Sequence, residues 1–161
     1  MSNKYLLTLA YDGSRYCGWQ KQKNGTSIQE LVEKALATIL REPISITGAG
    51  RTDAGVHALD QKAHFTFTAG LNQKKLCCSL NGLLPVDIRV LHSEEKEKKF
   101  HARYSCRSKI YHYHINTTPF LLPFLRLYRY HYSPKLNPIL LQAAAKTLVG
   151  SHDFRAFANE N

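Results

Sequence analysis

The sequence predicts an α+β fold in which helices cover one face of an antiparallel sheet. Three observations predict it. Short apolar or alternating segments bounded by turn residues indicate strands, and two segments with helical spacing lie between them. Together these elements follow the order β-α-β-β-α-β between residues 4 and 92. This order is typical of a ferredoxin-like, or RRM-like, unit.

The first strand and the first helix have the clearest signals. Residues 4–10 are mostly apolar and end before the turn residue Asp12, which predicts a strand. Residues 27–30, S-I-Q-E, have the form of a capping box, in which the serine hydroxyl accepts from the third helical N–H. Apolar residues then recur at helical spacing up to residue 40, and Pro43 predicts the end of the helix.

The remaining elements of this first unit follow in order. Residues 44–47, 64–68 and 88–92 predict the second, third and fourth strands. Residues 71–84 predict a second helix, which Pro85 ends because proline cannot continue the hydrogen-bond ladder.

The rest of the sequence predicts the first part of a second, similar α/β unit. Residues 107–116 and 125–132 alternate like paired strands, and an Asn-Pro pair opens a helix that Gly150 closes. We therefore predict an N-terminal ferredoxin-like domain over residues 1–98 and an incomplete second α/β domain over residues 99–161.

The charge of the chain favours a polyanionic partner. The 161 residues include 22 Lys or Arg against 12 Asp or Glu, a net charge of +10, with a pI near 9.6. Neither a membrane span nor a signal peptide is predicted, so we expect a cytoplasmic protein. The four cysteines and eight histidines lack the spacing of a metal site, so we expect no metal.

One region combines cations with aromatic rings. Residues 96–135 contain nine Lys or Arg, one acid and six tyrosines. Cations for phosphates and flat rings for bases are typical of an RNA-binding face. The alternative is a solvated strand face with half-buried tyrosines.

A glycine-rich loop places one acid beside a permanent cation. Residues 48–58, G-A-G-R-T-D-A-G-V-H-A, contain three glycines, Arg51 and Asp53. Glycine lets a backbone approach a ligand closely, and a neighbouring arginine favours the ionised acid. Such a carboxylate, aimed into a cleft, is a candidate nucleophile or general base. The alternative is an Asx-type turn, in which Asp53 caps backbone amides and Arg51 pairs on the surface.

The loop also resembles the signature loop of the tRNA pseudouridine synthase A family, over residues 50–58. Further segments resemble the family in order and spacing: residues 11–13, 18–20, 80–85, 87–88, 100–103, 109–113 and 150–154. The resemblance implies a cofactor-free enzyme that converts uridine to pseudouridine in the anticodon stem-loop of tRNA. It also implies a homodimer and a fold of two α/β halves with a basic cleft.

The resemblance implies roles for particular residues. Asp53 matches the family nucleophile, which attacks C1′ of the sugar or C6 of the base. Arg51 matches the arginine that steadies the extruded nucleotide, and Tyr111 matches the tyrosine that stacks on its base. We expect the remaining substrate contacts from Gly50, Thr52, His57 and Lys109, although His57 also fits a loop-packing role. Trp19 fits a core position better than an RNA contact.

Members of the family usually continue for about another third of the chain, a part that includes an arginine paired with the aspartate. The alternative function is therefore a non-catalytic RNA-binding fragment of the same fold. A hydrolase of small phosphoesters with an aspartate nucleophile finds no support, because no second acid stands at metal-ligand spacing.

Overall fold

The structure, a computed structural model, describes residues 3–157. These residues form two compact units that divide between Ile110 and Tyr111. The domain boundary predicted between residues 98 and 99 stays a prediction, because compactness alone does not define a domain.

The first unit confirms the predicted element order. It contains β1 (Asn3–Tyr11), α1 (Ile28–Leu40), β2 (Thr47–Gly48), β3 (Ala58–Phe67), α2 (Gln73–Leu83) and β4 (Ile88–Lys96). The strands pair in the order β2-β3-β1-β4, and all neighbouring pairs are antiparallel. This is the arrangement of a ferredoxin-like unit.

Two strand boundaries differ from the sequence prediction. β2 consists of Thr47 and Gly48 alone, and β3 begins at Ala58 rather than at residue 64. The polar first half of β3 lacks apolar alternation but pairs with β1, with Gln61 opposite Leu9. The neighbouring strand β1 supplies the hydrogen-bond partners of this half of β3. The propensity of the segment's own residues therefore underestimates its tendency to form a strand.

The first helix begins and ends as predicted. The Ser27 hydroxyl accepts from the Glu30 N–H at 3.3 Å, and Glu30 pairs with Lys34 one turn later at 2.6 Å. The helix ends at Leu40, and Arg41 takes a left-handed conformation with φ of 59°. The helix therefore stops three residues before Pro43, which cannot join it.

The main core lies on one face of the sheet, with side chains from both helices. Alternate residues of β1, Tyr5, Leu7 and Leu9, are fully buried, and Tyr5 stacks on Phe65 of β3 at 5.4 Å between ring centroids. Their cluster includes Ile28, Val32, Leu36, Leu76 and Leu80 of the helices. Trp19 is 2% exposed in the same cluster, which confirms its core position. Each fully buried side chain of this size contributes about 1.5–3 kcal/mol.

The segment after β4 covers the other face of the sheet. The Lys4 ammonium donates to the Phe100 carbonyl oxygen at 2.6 Å, and Ala102 is buried in a small cluster with Leu6. The Ala102 N–H donates to Nδ1 of His64 at 3.2 Å. The chain is thereby held against the sheet before it reaches Lys109.

We expect His64 to make stability depend on pH. Its pKa is lowered because burial disfavours the charged ring, and because His101 and Lys4 lie close; a hydrogen bond with the Thr47 backbone acts in the opposite direction. The neutral ring therefore contributes stability above the unfolded pKa of about 6.5 that is lost as pH falls through the lower folded pKa.

The measurement is the free energy of unfolding between about pH 7.5 and pH 5, for the wild type and for His64→Asn, whose amide oxygen can still accept from Ala102. The wild type should lose stability more steeply on acidification than the variant, which lacks the titrating ring. Equal slopes for the two proteins would show that His64 stays neutral or contributes nothing.

The second unit has little regular structure in the described residues. β5 (Ile115–Asn116) and β6 (Tyr130–His131) pair in parallel, and α3 spans Pro138–Lys146. The prediction of long strands over residues 107–116 and 125–132 is therefore wrong. Within these two ranges only the short strands β5 and β6 form. Alternation shows which residues could share a face, but a strand also needs a ladder partner over its length.

The side chains of the second unit remain outside any core. None of the described residues 111–157 is buried, and Ile139 and Leu140 of α3 are 77% and 66% exposed. The Asn137 side chain accepts from the N–H groups of Ile139 and Leu140 and caps the helix as predicted. Within residues 3–157, the helices are too short or too polar to span a lipid bilayer.

Candidate active site

The glycine-rich loop joins β2 to β3 and is fixed at its first residues by the sheet. The Ala49 N–H donates to the Lys62 carbonyl oxygen at 2.7 Å. The Gln61 side-chain amide donates to the Gly50 carbonyl oxygen at 2.9 Å. Both partners lie on β3, so the loop leaves the sheet in a defined direction.

The middle of the loop is fixed by the segment that follows β1. The Trp19 N–H donates to the Thr52 carbonyl oxygen at 2.9 Å, and the Gly55 N–H donates to that of Tyr16 at 3.3 Å. Gly18 has φ of +95°, and a β-carbon there would lie 2.5 Å from the Thr52 carbonyl oxygen. Only glycine permits this approach of two backbones.

The Thr52 side chain belongs to the same framework. Its hydroxyl oxygen lies 2.9 Å from the hydroxyl of Tyr11 at the end of β1. Burial raises the pKa of Tyr11, while hydrogen bonds with Thr52 and Gln61 act in the opposite direction. The phenol therefore stays neutral at neutral pH, and the pair fixes the residue before Asp53.

Asp53 presents its carboxylate to solvent. Its carbonyl oxygen accepts from the Val56 N–H at 3.2 Å, in a turn where Gly55 has φ of +78°. Among residues 3–157, no hydrogen-bond donor or cation pairs with the carboxylate itself. The main chain makes the turn, so the structure does not support the alternative in which Asp53 caps backbone amides.

A hollow of about 280 Å³ lies beside this carboxylate. Its walls are Cys17, Gln20 and Gln22 from the segment after β1, and Arg51, Thr52, Asp53 and Ala54 from the loop. Its volume is close to the lower limit of about 300 Å³ for small-molecule sites, which suits a single planar base. The geometry thus places an acid with available lone pairs at a cavity of suitable size.

Arg51 borders the hollow beside Asp53 without pairing with it. Across residues 3–157, no acidic oxygen lies within 4.0 Å of its guanidinium. The surface ion pair considered from the sequence is therefore not formed. An exposed guanidinium without an acidic partner can contact phosphate or stack on a base.

Comparison with known proteins fits this geometry. The family model described as tRNA pseudouridine synthase matches residues 8–105, which include the end of β1, all of β2, β3 and β4, and the whole glycine-rich loop. The chain belongs to the tRNA pseudouridine synthase family. The resemblance seen in the loop is thereby confirmed.

Curated relatives agree. The chain is 46% identical over 157 residues to "tRNA pseudouridine synthase A 1" of Protochlamydia amoebophila, covering 97% of this chain and 61% of the relative. It is 44% identical over 154 residues to "tRNA pseudouridine synthase A" of Ruminiclostridium cellulolyticum, covering 96% of this chain and 63% of the relative. The chain thus spans less than two thirds of the length of these relatives.

Lys109 adds a second cation, after Arg51, beside the glycine-rich loop. A β-carbon built on Gly50 would lie 3.1 Å from the Lys109 ammonium nitrogen, which shows how closely the lysine approaches. The covering segment on the back of the sheet brings it there from Ala102. Gly50 and Lys109, predicted as substrate contacts from separate motifs, are therefore neighbours at the loop.

His57 lies at the far end of the loop, beside the turn after β1. Its Nδ1 is 3.1 Å from Oδ1 of Asp12 and 3.2 Å from the backbone nitrogen of Gly13. A β-carbon on Gly13 would lie 2.0 Å from the Val56 carbonyl oxygen, so loop and turn are in close contact. This position favours the loop-packing role, and substrate contact by His57 stays a prediction.

Tyr111 is the first residue of the second unit, and its side chain is 66% exposed. An exposed ring is able to stack on a base, but its role toward Asp53 stays a prediction.

The sequence did not identify three residues of the hollow, Cys17, Gln20 and Gln22. Residues 18–20 were matched to the family, but nothing in the local pattern places them opposite a loop about 30 positions later. The sequence signal for this arrangement was Gly18, because a glycine can take the positive φ that permits the contact with the Thr52 backbone. Among the described residues, no cluster of His, Cys, Asp or Glu is arranged to hold a metal ion.

Proposed function

We propose that this chain converts uridine to pseudouridine in the anticodon stem-loop of tRNA, with Asp53 as the nucleophile. The observation that carries the proposal is the unpartnered Asp53 carboxylate beside a base-sized hollow, on a loop that the fold fixes from both sides. Membership of the family supports the reaction and the substrate class.

The chemistry requires the base to leave its stack. Extrusion of a nucleotide costs a few kcal/mol, which contacts in the hollow and stacking on an aromatic ring offset. Asp53 then attacks the uridine at C1′ or at C6, and the bond between N1 and C1′ breaks. The uracil turns, C5 bonds to C1′, and the bond between Asp53 and the nucleotide breaks. The C5 hydrogen is released as a proton, and N1 takes up a proton from solvent. Reactant and product are isomers, so the step needs no cofactor.

Three residues complete the proposed site. Arg51 occupies the space that the extruded base leaves and steadies the nucleotide, because its planar cation can stack and can bind phosphate. Lys109 beside Gly50 neutralises a phosphate near the loop. Tyr111 stacks on the base.

The tRNA backbone is held by the cations and tyrosines of residues 96–135. Within this region Tyr113 is 87% exposed, which leaves its ring open to a base, while Tyr104 and Tyr130 are 81% and 68% exposed and stack on His101 and Tyr132. A cytoplasmic homodimer in which one tRNA contacts both subunits belongs to the same proposal.

Tritium release from C5-labelled uridine in tRNA tests the proposal. We expect release by the chain, or by the chain joined to the remaining segment of the Protochlamydia amoebophila relative. Transcripts labelled at C6 are the matched control, because the C6 hydrogen stays on the product. Salt-sensitive tRNA binding without release in both forms would contradict catalysis and favour the RNA-binding alternative.

A further inference from the structure

The hollow beside Asp53 has a second polar wall that the proposed chemistry does not use. Gln20 and Gln22 line it from the segment after β1, opposite the loop that carries Asp53. A base that occupies the hollow therefore lies close to these two side-chain amides. An amide offers both a donor and an acceptor, so its orientation decides which base edge it can pair with.

The orientation of the Gln22 amide is fixed. Its Nε2 donates to the carbonyl oxygen of Cys17 at 2.7 Å. A carbonyl oxygen only accepts, so turning the amide over would place two acceptors against each other and lose the bond. Oε1 of Gln22 is therefore held as an acceptor, and in the described part of the chain no group donates to it.

The backbone around this amide is also held. The N–H and the thiol of Cys17 both bond to the carbonyl oxygen of Thr26, each at 3.0 Å. Gln22 and Gly25 form a bridge inside the same closed segment. Cys17 is thereby fixed as the partner that orients Gln22.

A fixed acceptor distinguishes uracil from cytosine. Uracil has a donor, the N3–H, at the centre of its Watson–Crick edge, whereas cytosine has an acceptor at N3. Extruded bases are read by hydrogen bonds to this edge. Uracil satisfies Oε1 of Gln22, while cytosine leaves two lone pairs facing each other, which is unfavourable.

We propose that Gln22 is the specificity-determining residue of this site, its Oε1 accepting the N3–H of an extruded uracil and so rejecting cytosine. The inference rests on the proposed function, since it takes the hollow beside Asp53 as the place of the base. Gln20 lines the same hollow, but no hydrogen bond to another described residue fixes its amide. It can turn over to suit either base, so it does not discriminate.

Equilibrium binding to anticodon stem-loop RNAs tests the assignment. The RNAs differ only at the nucleotide just 3′ of the anticodon, which is uridine, cytidine or 3-methyluridine. Asp53→Asn in the full chain serves as the background, so that the uridine is not consumed. We expect the uridine RNA to bind about tenfold more tightly than the other two, because each of these lacks the N3–H.

Two variants in this background locate the effect. Gln22→Leu should bring the ratio of dissociation constants for cytidine and uridine RNA close to one, whereas Gln20→Leu should keep it near tenfold. Equal binding of the three RNAs in the Asp53→Asn background, or an unchanged ratio in a folded Gln22→Leu protein, overturns the inference. The 3-methyluridine comparison needs no change at Gln22, so equal binding of the uridine and 3-methyluridine RNAs overturns the inference even if Gln22→Leu does not fold.

The test of Gln22 and the test of the proposed function can fail independently of each other. Tritium release without discrimination between the RNAs would support the proposed function and contradict the role of Gln22. Discrimination without tritium release would support recognition of uracil in the hollow and contradict the catalytic proposal. A chain that bound none of the RNAs would overturn both.

Discussion

Replacing Asp53 by asparagine should abolish tritium release while leaving the affinity for tRNA nearly unchanged. Asparagine has almost the same shape as aspartate but lacks the charge and the nucleophilic oxygen. The carboxylate has no partner among residues 3–157, so its loss removes no structural contact there. Removal of a nucleophile typically lowers turnover by at least about a thousandfold.

The matched control for this change is Asp60→Asn on β3. Asp60 is exposed like Asp53 and belongs to the same unit, but it pairs with Lys62 at 2.7 Å instead of lining the hollow. The control should release tritium at close to the wild-type rate. If Asp53→Asn retained more than about a tenth of that rate, a nucleophilic role would be excluded.

Gly18→Ala should damage both stability and activity. Its β-carbon would lie 2.5 Å from the Thr52 carbonyl oxygen and 3.1 Å from the Asp53 carbonyl carbon, both of which are backbone atoms. A φ of +95° also strains any residue with a side chain. The loop has to move away from Trp19, which breaks the bond between the Trp19 N–H and the Thr52 carbonyl oxygen. We expect a loss of about 2–4 kcal/mol in the free energy of unfolding.

Thermal unfolding and tritium release should be measured together on this variant, with Gly82→Ala as the control. Gly82 lies in α2, where a β-carbon meets nothing within 4 Å. Alanine there should leave stability unchanged or raise it by up to about 1 kcal/mol, because alanine favours helix. Equal unfolding temperatures for the Gly18 and Gly82 variants would contradict the close contact between the two backbones.

The first unit could be predicted from local signals because its sequence and its tertiary contacts agree. Ser27 caps α1, Pro43 follows its end, and alternate residues of β1 enter the core, so each local signal indicates the element that forms. The polar half of β3 was missed for the opposite reason, because its ladder depends on β1 rather than on its own residues. In the second unit, the alternation of residue types predicted long strands. Most of their length does not form strand, because it has no partner strand with which to build a ladder.

The sequence by itself determined the family, the element order and the acid that the proposal makes reactive. These follow from residue types at fixed spacing, and Asp53 lies in a motif long enough to be recognised. Only the tertiary structure decided what surrounds that acid. Gly18 lets the segment of Gln20 and Gln22 approach the loop, and contacts between distant segments have no local periodicity from which they could be inferred. The orientation of the Gln22 amide follows from a single carbonyl oxygen in space, so no pattern in the sequence could predict it.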